Sequence, residues 1–567
     1  MPDGGQSLRA EIEIDGSPLD AAVEPLIEQV VVDNHVLLPD TFLIVFNDRQ
    51  RDILDKARIK VGSKVRIKGT ALGSQQAELL ISGEVTSLGA DYKSGDSRVV
   101  VRGYDPSHRL HRGRQSATYL NQKDSDIARA VASRASLDVG TIDDSGEVHP
   151  WVSQANLSDW EFLTGRASQI GFQVTVSDGK FHFRKPATAS DAPGDGDYDS
   201  KDPLQLVFGQ DLLQFQPRVT SAEQVSSVQV RGWDPDAKKA LVGSAAAKTT
   251  SAALPSKPAD LAATFGSPTY VVVDRPQSTQ AGVDAGAAAV ADQIASAFVD
   301  ANGSARGNPK LKAGAAVSVS AVAAPFAGQY TLSQTHHVFD EEGYRTEFQV
   351  SGRAQRSLLG LTGGGSAGAA TGGGNPISGL VIAIVTNNDD PNQLGRVKLK
   401  FPWLSDSFES DWAPVSQLGA GPDSGAVFLP EVGDEVLVGF GFGDVRQPYV
   451  IGGLYNGVDK PKLGSGLVDN GKIKRRGFVS RKGHKLIFLD GDDKSGIALI
   501  SSDGKIRIGL KETDGQLHIV CDGKIVIEST GDLKLSSQGS LQLSGQSGVK
   551  IESGAMVEVS GQTIKLN

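Results

Sequence analysis

The chain has 567 residues, with 57 Lys and Arg against 67 Asp and Glu, a formal charge of −10. An acidic chain without a basic block is a poor partner for nucleic acid, and no run approaches the roughly 18 apolar residues of a membrane-spanning helix. Met1 to Arg9 is polar and lacks the apolar stretch of a secretory signal, and the lone Cys521 excludes an intrachain disulfide framework or a Cys-based zinc site. The expectation is a soluble protein assembled in the cytoplasm.

Glycine is the compositional outlier, with 67 copies in 567 residues, about 12% against an average of about 7%. With 25 Pro and 6% aromatics, it points to many turns and short strands. From the N-terminus, strand-like alternation marks Ala10 to Ile14, Phe42 to Phe46, Lys64 to Gly69, Ser97 to Arg102, Phe172 to Val176, Ser227 to Arg231 and Thr346 to Val350. Helical spacing of apolar residues marks Asp124 to Ala135, Leu157 to Ile170 after Asn156, and the Ala-rich Asp284 to Phe298. Ala187 to Asp202 and about Ala237 to Ala263 read as loops. The mixture is α+β, predominantly β.

One hexapeptide echoes: Val101 to Pro106 reads VRGYDP and Val230 to Pro235 reads VRGWDP. Each follows a strand-like run and supplies good turn chemistry. Asp-Pro turns are common enough for coincidence; a duplicated β-barrel is the other reading.

Leu361 to Pro376 (LTGGGSAGAATGGGNP) has no side chains to build a core and reads as a linker. It divides a domain at 1–360 from a compact β unit at 377–460. Strands are expected there at Leu380–Val385, Gly395–Phe401, Ala426–Phe428 and Asp434–Phe440, closed by Tyr449–Gly452, as in a five-stranded OB barrel.

The remainder, 461–567, ends in octads: GKIVIEST, GDLKLSSQ, GSLQLSGQ, SGVKIESG, AMVEVSGQ. Two positions in every eight are aliphatic. One set is Ile525, Leu533, Leu541, Val549 and Val557; the other is Ile527, Leu535, Leu543, Ile551 and Val559, with Leu517 and Ile519 one repeat earlier. Eight extended residues span at most about 26–29 Å, too little to wrap a core alone. Three chains, each supplying one wall, bury these residues and pair every strand edge, so the octads are expected to form an intertwined trimeric β-helix prism.

The central unit carries Asn388-Asp389-Asp390-Pro391, then Gly395-Arg396-Val397 and Phe401-Pro402-Trp403. Trp412, Phe428-Leu429-Pro430, Gly433-Asp434-Glu435-Val436 and Gly452-Gly453-Leu454-Tyr455-Asn456 follow. This order resembles the OB-fold of VgrG spike proteins and tailed-phage baseplate spikes. Tyr119, Asp124 to Ala128, Asn156 to Leu163 and Asp178 to Phe181 resemble the hub domain of that family, and the N-terminus is more similar to extracellular phage-tail-like contractile injection systems.

The resemblance implies a hub of two related β-barrels per chain. It implies a structural homotrimer that links a hexameric inner tube (Hcp-like) and baseplate proteins to a PAAR-type tip. The blunt end at Leu566 and Asn567 would seat that tip, with possible effector cargo and a particle that could be released from its producer.

No catalytic constellation stands out, and no cofactor or metal is expected. Asp195, Asp197 and Asp199 start like a calcium loop but lack its Gly and Glu; Asp490, Asp492 and Asp493 read as a hairpin turn. His336 and His337 show no carboxylate partner nearby in sequence, and Gly457 to about Phe478 is too short to hold an enzyme. The alternative from another class is a tail spike that degrades or grips an envelope polymer.

Overall fold

The computed structural model describes residues 10–565 apart from 73, 95, 195–201, 274–276, 354–376, 378, 465 and 493. The linker and the acidic run at 195–199 therefore lie outside the described residues. The chain divides into two compact units, Met1–Asp459 and Lys460–Asn567. Among the described residues no helix is long and apolar enough to cross a membrane.

The first unit is built on one eleven-stranded sheet. In spatial order its strands are Leu212–Val219, Val299–Arg306, Gly343–Val350, Gln334–Asp340, Ile27–His35, Thr41–Asn47, Asp96–Tyr104, Ala77–Lys93, Lys64–Thr70, Glu11–Ile14 and Ser17–Pro18. Alternating Val, Ile and Phe residues send one face inward, as the buried Phe42, Ile44 and Phe46 do between half-buried neighbours. The sheet serves two separate cores. One gathers Val30, Val32, Phe42, Ile44, Phe46, Val65, Ile67, Val99 and Val101. The other gathers Phe298, Val299, Ala301, Phe348 and Val350 with Leu206, Val317, Val319 and Tyr330 of a second, four-stranded sheet. The halves meet where Gln334–Asp340 pairs antiparallel with Ile27–His35.

Two smaller α/β layers flank the sheet. Helices Asp124–Arg134 and Asp159–Gln169 pack with Gln173–Ser177 and Lys180–Arg184 around Ile127, Val131, Trp160, Leu163, Phe181 and Phe183. The second helix starts at Ser158, whose hydroxyl accepts from the Glu161 N–H while the Glu161 carboxylate accepts from the Ser158 N–H. Ser158 is thus the cap, so the helix begins at Asp159 rather than at Leu157, and Asn156 sits in the left-handed region at φ +52. The other layer covers strands Ser227–Asp234, Lys239–Ala246 and Thr269–Val272 with helix Gln280–Ser296.

This region corrects one expectation. The stretch read as a loop from about Ala237 to Ala263 contains strand Lys239–Ala246 and helix Pro258–Ala263. Its many Ala, Ser and Lys residues give little alternation to read, yet Leu241, Ala247 and Ala262 are buried, so small side chains suffice for the packing here. The two copies of the hexapeptide occupy different settings. VRGYDP ends a central strand of the large sheet, and VRGWDP ends a strand of the three-stranded layer.

The OB unit orders its strands Lys398–Lys400, Leu380–Asn387, Glu435–Phe440, Pro448–Gly453. Ala426–Phe428 is not a strand; the pairing nearby is the short hairpin of Ala420–Gly421 with Ser424–Gly425. The barrel is closed instead by residues 409–416. Ala413 exchanges two backbone hydrogen bonds with Val397 (2.7 and 3.0 Å), and Ser416 N–H donates to the Val450 carbonyl at 2.8 Å. Pro414 has no N–H to donate, and its carbonyl accepts from Val450 at 2.9 Å, so this wall forms by isolated bridges rather than a continuous ladder.

The second unit is a five-stranded antiparallel meander: Arg475–Val479, Lys485–Asp490, Ser495–Ile500, Ile506–Lys511 and Gln516–Cys521.

Candidate functional site

In the meander, residues directly opposite one another share a face of the sheet. One row across the five strands is Phe478, Leu486, Leu499, Ile508 and Ile519. The adjacent row is Arg476, Phe488, Ile497, Leu510 and Leu517. The opposite face carries Gly477, Ile487, Ala498, Gly509 and His518 in register. One side is therefore a ladder of large apolar side chains, and the other is mostly small or polar.

The ladder is exposed. Phe478, Phe488, Ile497, Leu499, Ile508, Leu510, Leu517 and Ile519 are 36% to 64% exposed. The octad residues Ile525, Ile527, Leu533, Leu535, Leu541, Leu543, Val549, Ile551, Val557 and Val559 are 51% to 70% exposed, and none lies in a paired strand. Leu517 and Ile519 join the two groups, since they sit on the last strand of the meander. Large apolar patches of this kind mark association surfaces in stable proteins. The octad template misses the part from Phe478 onward because strand starts there fall at 475, 485, 495, 506 and 516, an interval of about ten rather than eight. Leu566 and Asn567 lie outside the described residues.

The OB motif residues have local structural work. Val397, Phe401 and Val436 fill the barrel core with Val385, Leu399, Ala413, Val438 and Val450. Trp403 packs on that core and its indole N–H donates to the Ile382 carbonyl at 2.8 Å. Arg396 forms a forked pair with Asp390 (2.7 and 3.0 Å), and this contact holds the Asp390 carboxyl far below the usual carboxylate range. Gly395 at φ +70 makes the turn between them. Asp434 accepts from the Glu431 N–H at 2.8 Å and fixes the turn at Gly433 before Glu435. Pro402 and Glu435 are buried.

The His and Asp residues singled out above are engaged in local contacts. His336 does have a carboxylate partner, Asp33 at 2.5 Å, which raises its pKa; the pairing of strands 303 positions apart hides it from sequence reading. His337 is fully buried, contacts the Tyr344 and Thr346 hydroxyls, and is pushed down to about 3 by burial, so it stays neutral. Asp490, just before a turn closed by Gly491 and Lys494, pairs with Arg476, and Asp492 within the turn pairs with Lys474. Asp493 lies outside the described residues. Among the described residues no group of three His, Cys, Asp or Glu side chains is placed to hold a metal ion.

One buried pair was not singled out from sequence. Asp105, in VRGYDP, accepts from the Asp40 N–H (2.8 Å) and the Ser107 N–H (2.6 Å), while Asp40 accepts from the His35 N–H and the Asn34 amide. Burial pushes Asp105 up to about 6, and burial together with Asp105 raises Asp40 well above its ordinary value.

The family model described as the Alg8 N-terminal domain matches residues 6–341, and that of the type VI secretion system/phage-baseplate injector OB domain matches 381–455. The type VI secretion system spike protein VgrG2a of Pseudomonas aeruginosa is 32% identical over 126 residues, 21% of this chain and 15% of that protein. VgrG1c of the same organism is 41% identical over 69 residues, 12% of this chain and 10% of the relative. The matches thus span well under a quarter of either relative's length. Among solved structures, the 43 kDa tail protein of prophage MuSo2 from Shewanella oneidensis aligns over 60% of this chain and 98% of its own, at 15% identity and a TM-score of 0.45. With the first family model matched over more than half of the chain and spike-protein relatives aligned to part of it, the chain belongs to the family of the Alg8 N-terminal domain and is a VgrG-like spike protein.

Proposed function

We propose that this protein is the homotrimeric hub and spike of a contractile injection system, linking inner tube and baseplate to the tip that pierces the target membrane. The exposed apolar ladder carries the reading. It continues through Leu517 and Ile519 toward the octads, and three copies packed face to face would bury it. Burial of each large side chain is worth about 1.5–3 kcal/mol, which a lone chain forgoes. Function would then rest on rigidity and symmetry rather than on reaction chemistry, with an Hcp-like tube, baseplate proteins, a PAAR-type tip and effector cargo as partners. Assembly in the cytoplasm and release in a particle belong to the same proposal. Mass measurement in solution tests it. Three chains of 59.5 kDa give about 180 kDa, and a stable species of 59.5 kDa would overturn the assembly.

A further inference from the structure

The second Gly-aromatic-Asp-Pro segment reaches out of its own layer and grips the OB unit. Arg231 is 9% exposed at its side chain; its Nε donates to the Pro402 carbonyl at 3.3 Å and its Nη2 pairs with Asp406 at 2.8 Å. Two residues on, the Trp233 indole N–H donates to one oxygen of the buried Glu435 carboxylate at 3.2 Å, and the Asn456 amide donates to the other at 3.0 Å. Lys238, in the turn that follows, donates to the Gly433 carbonyl at 2.6 Å and pairs with Asp459. Gly457 N–H donates to the Pro235 carbonyl at 3.0 Å, so close that an added Cβ would lie 1.9 Å from the Asp236 carbonyl oxygen.

These contacts use side chains that are costly to leave unpaired. A guanidinium and a carboxylate, each shielded from water, lose the full worth of their partners if the surfaces part. The seat on the OB side is Pro402, Gly433, Glu435 and Asn456, the motif residues whose role inside the barrel is least obvious.

We infer that this segment is a latch that holds the OB unit on the hub through surface contact, so that residues 361–376 need carry no load between them. The first copy of the hexapeptide does a different job, since Asp105 there caps the following turn and ties down Asp40. Two near-identical hexapeptides thus serve two functions: one locks a corner inside the hub, the other docks a neighbouring domain.

The test uses the full chain with a specific protease site inserted within 361–376, cut under native conditions. The two pieces are then followed by gel filtration with denaturing gels of each fraction. The latch predicts co-elution after cutting. Arg231→Glu places a carboxylate against a carbonyl and Asp406 and should speed separation at least tenfold. Asp406→Arg, on a side chain 73% exposed and so harmless to folding, should speed it several-fold. The double variant Arg231→Glu with Asp406→Arg should regain part of the retention, since it restores the ion pair but not the bond to the Pro402 carbonyl. Separation of the unaltered pieces on cutting would overturn the latch. So would retention unchanged in Asp406→Arg, even if Arg231→Glu fails to fold. Cutting leaves the C-terminal piece with the whole apolar ladder, so the association of that piece is the same before and after the cut.

Discussion

Asp105 and Asp390 are both shielded carboxylates with opposite consequences for pH. The Asp105 pKa is raised to about 6, so the stability it contributes is present below the ordinary carboxylate range and fades as pH rises through about 6. Asp105→Asn keeps the shape but leaves two N–H donors facing one acceptor, a loss of about 1 kcal/mol. That deficit should be larger at pH 5 than at pH 8, which urea titrations of both proteins at the two pH values would show. Asp390 is depressed by Arg396, so its contribution is present above the ordinary carboxylate range and is lost as pH falls below it. Arg396→Met should therefore lower the melting temperature at pH 7, and the difference should narrow toward pH 3. Asp390 and Arg396 stand six positions apart across one turn, and the structure alone shows them paired. The Asp40–Asp105 contact joins loops 65 residues apart, and nothing local announces it.

At the scale of elements, helix Asp159–Gln169 depends on its reciprocal cap. Ser158→Ala should cost about 1 kcal/mol, read as a shift in the denaturation midpoint of the hub, whereas Asn156→Ala should not remove the cap. The apolar ladder makes a second element-level expectation. Ile508→Lys sets a charge in the middle of a row between Leu499 and Ile519, and it should abolish the large species in mass measurements. A lysine on the opposite face, Ala498→Lys, should disturb it far less.

The three long helices and the most regularly alternating strands, such as Thr41–Asn47 and Lys64–Thr70, are legible because periodicity of two or 3.6 residues is a local signal, whereas shorter or polar strands such as Gln115–Lys123 and Val148–Leu157 carry no such pattern. The closing wall of the OB barrel was not. Residues 409–416 bond through isolated bridges around Pro414, so they lack the alternation that betrays a strand. The ladder from Phe478 onward escaped because its interval differs from that of the octads, although its alternating aliphatic residues were visible in Leu486, Phe488, Ile497 and Leu499.

For the whole molecule, the exposed apolar residues from Phe478 to Val559 set the expected behaviour of truncations. Ending the chain after Gly515 removes Leu517, Ile519 and every octad while leaving the hub and OB cores whole. The shortened protein should remain folded by circular dichroism yet lose both its high mass and its resistance to heat. A truncated protein that keeps both would show that the octads do not drive association.

The large sheet also sets a timetable for biosynthesis. Its strand Ile27–His35 is flanked by Gln334–Asp340, and the contact between Asp33 and His336 spans 303 positions. At roughly 5–20 residues per second, a nascent chain waits about 15–60 s between emergence of the two strands. Throughout that interval the early strand presents an unpaired edge to the ribosome's surroundings, and contacts so distant in sequence form slowly. Newly made chains should therefore need chaperone cover until the late strand arrives, and arrest of synthesis before residue 334 should leave a product prone to aggregate.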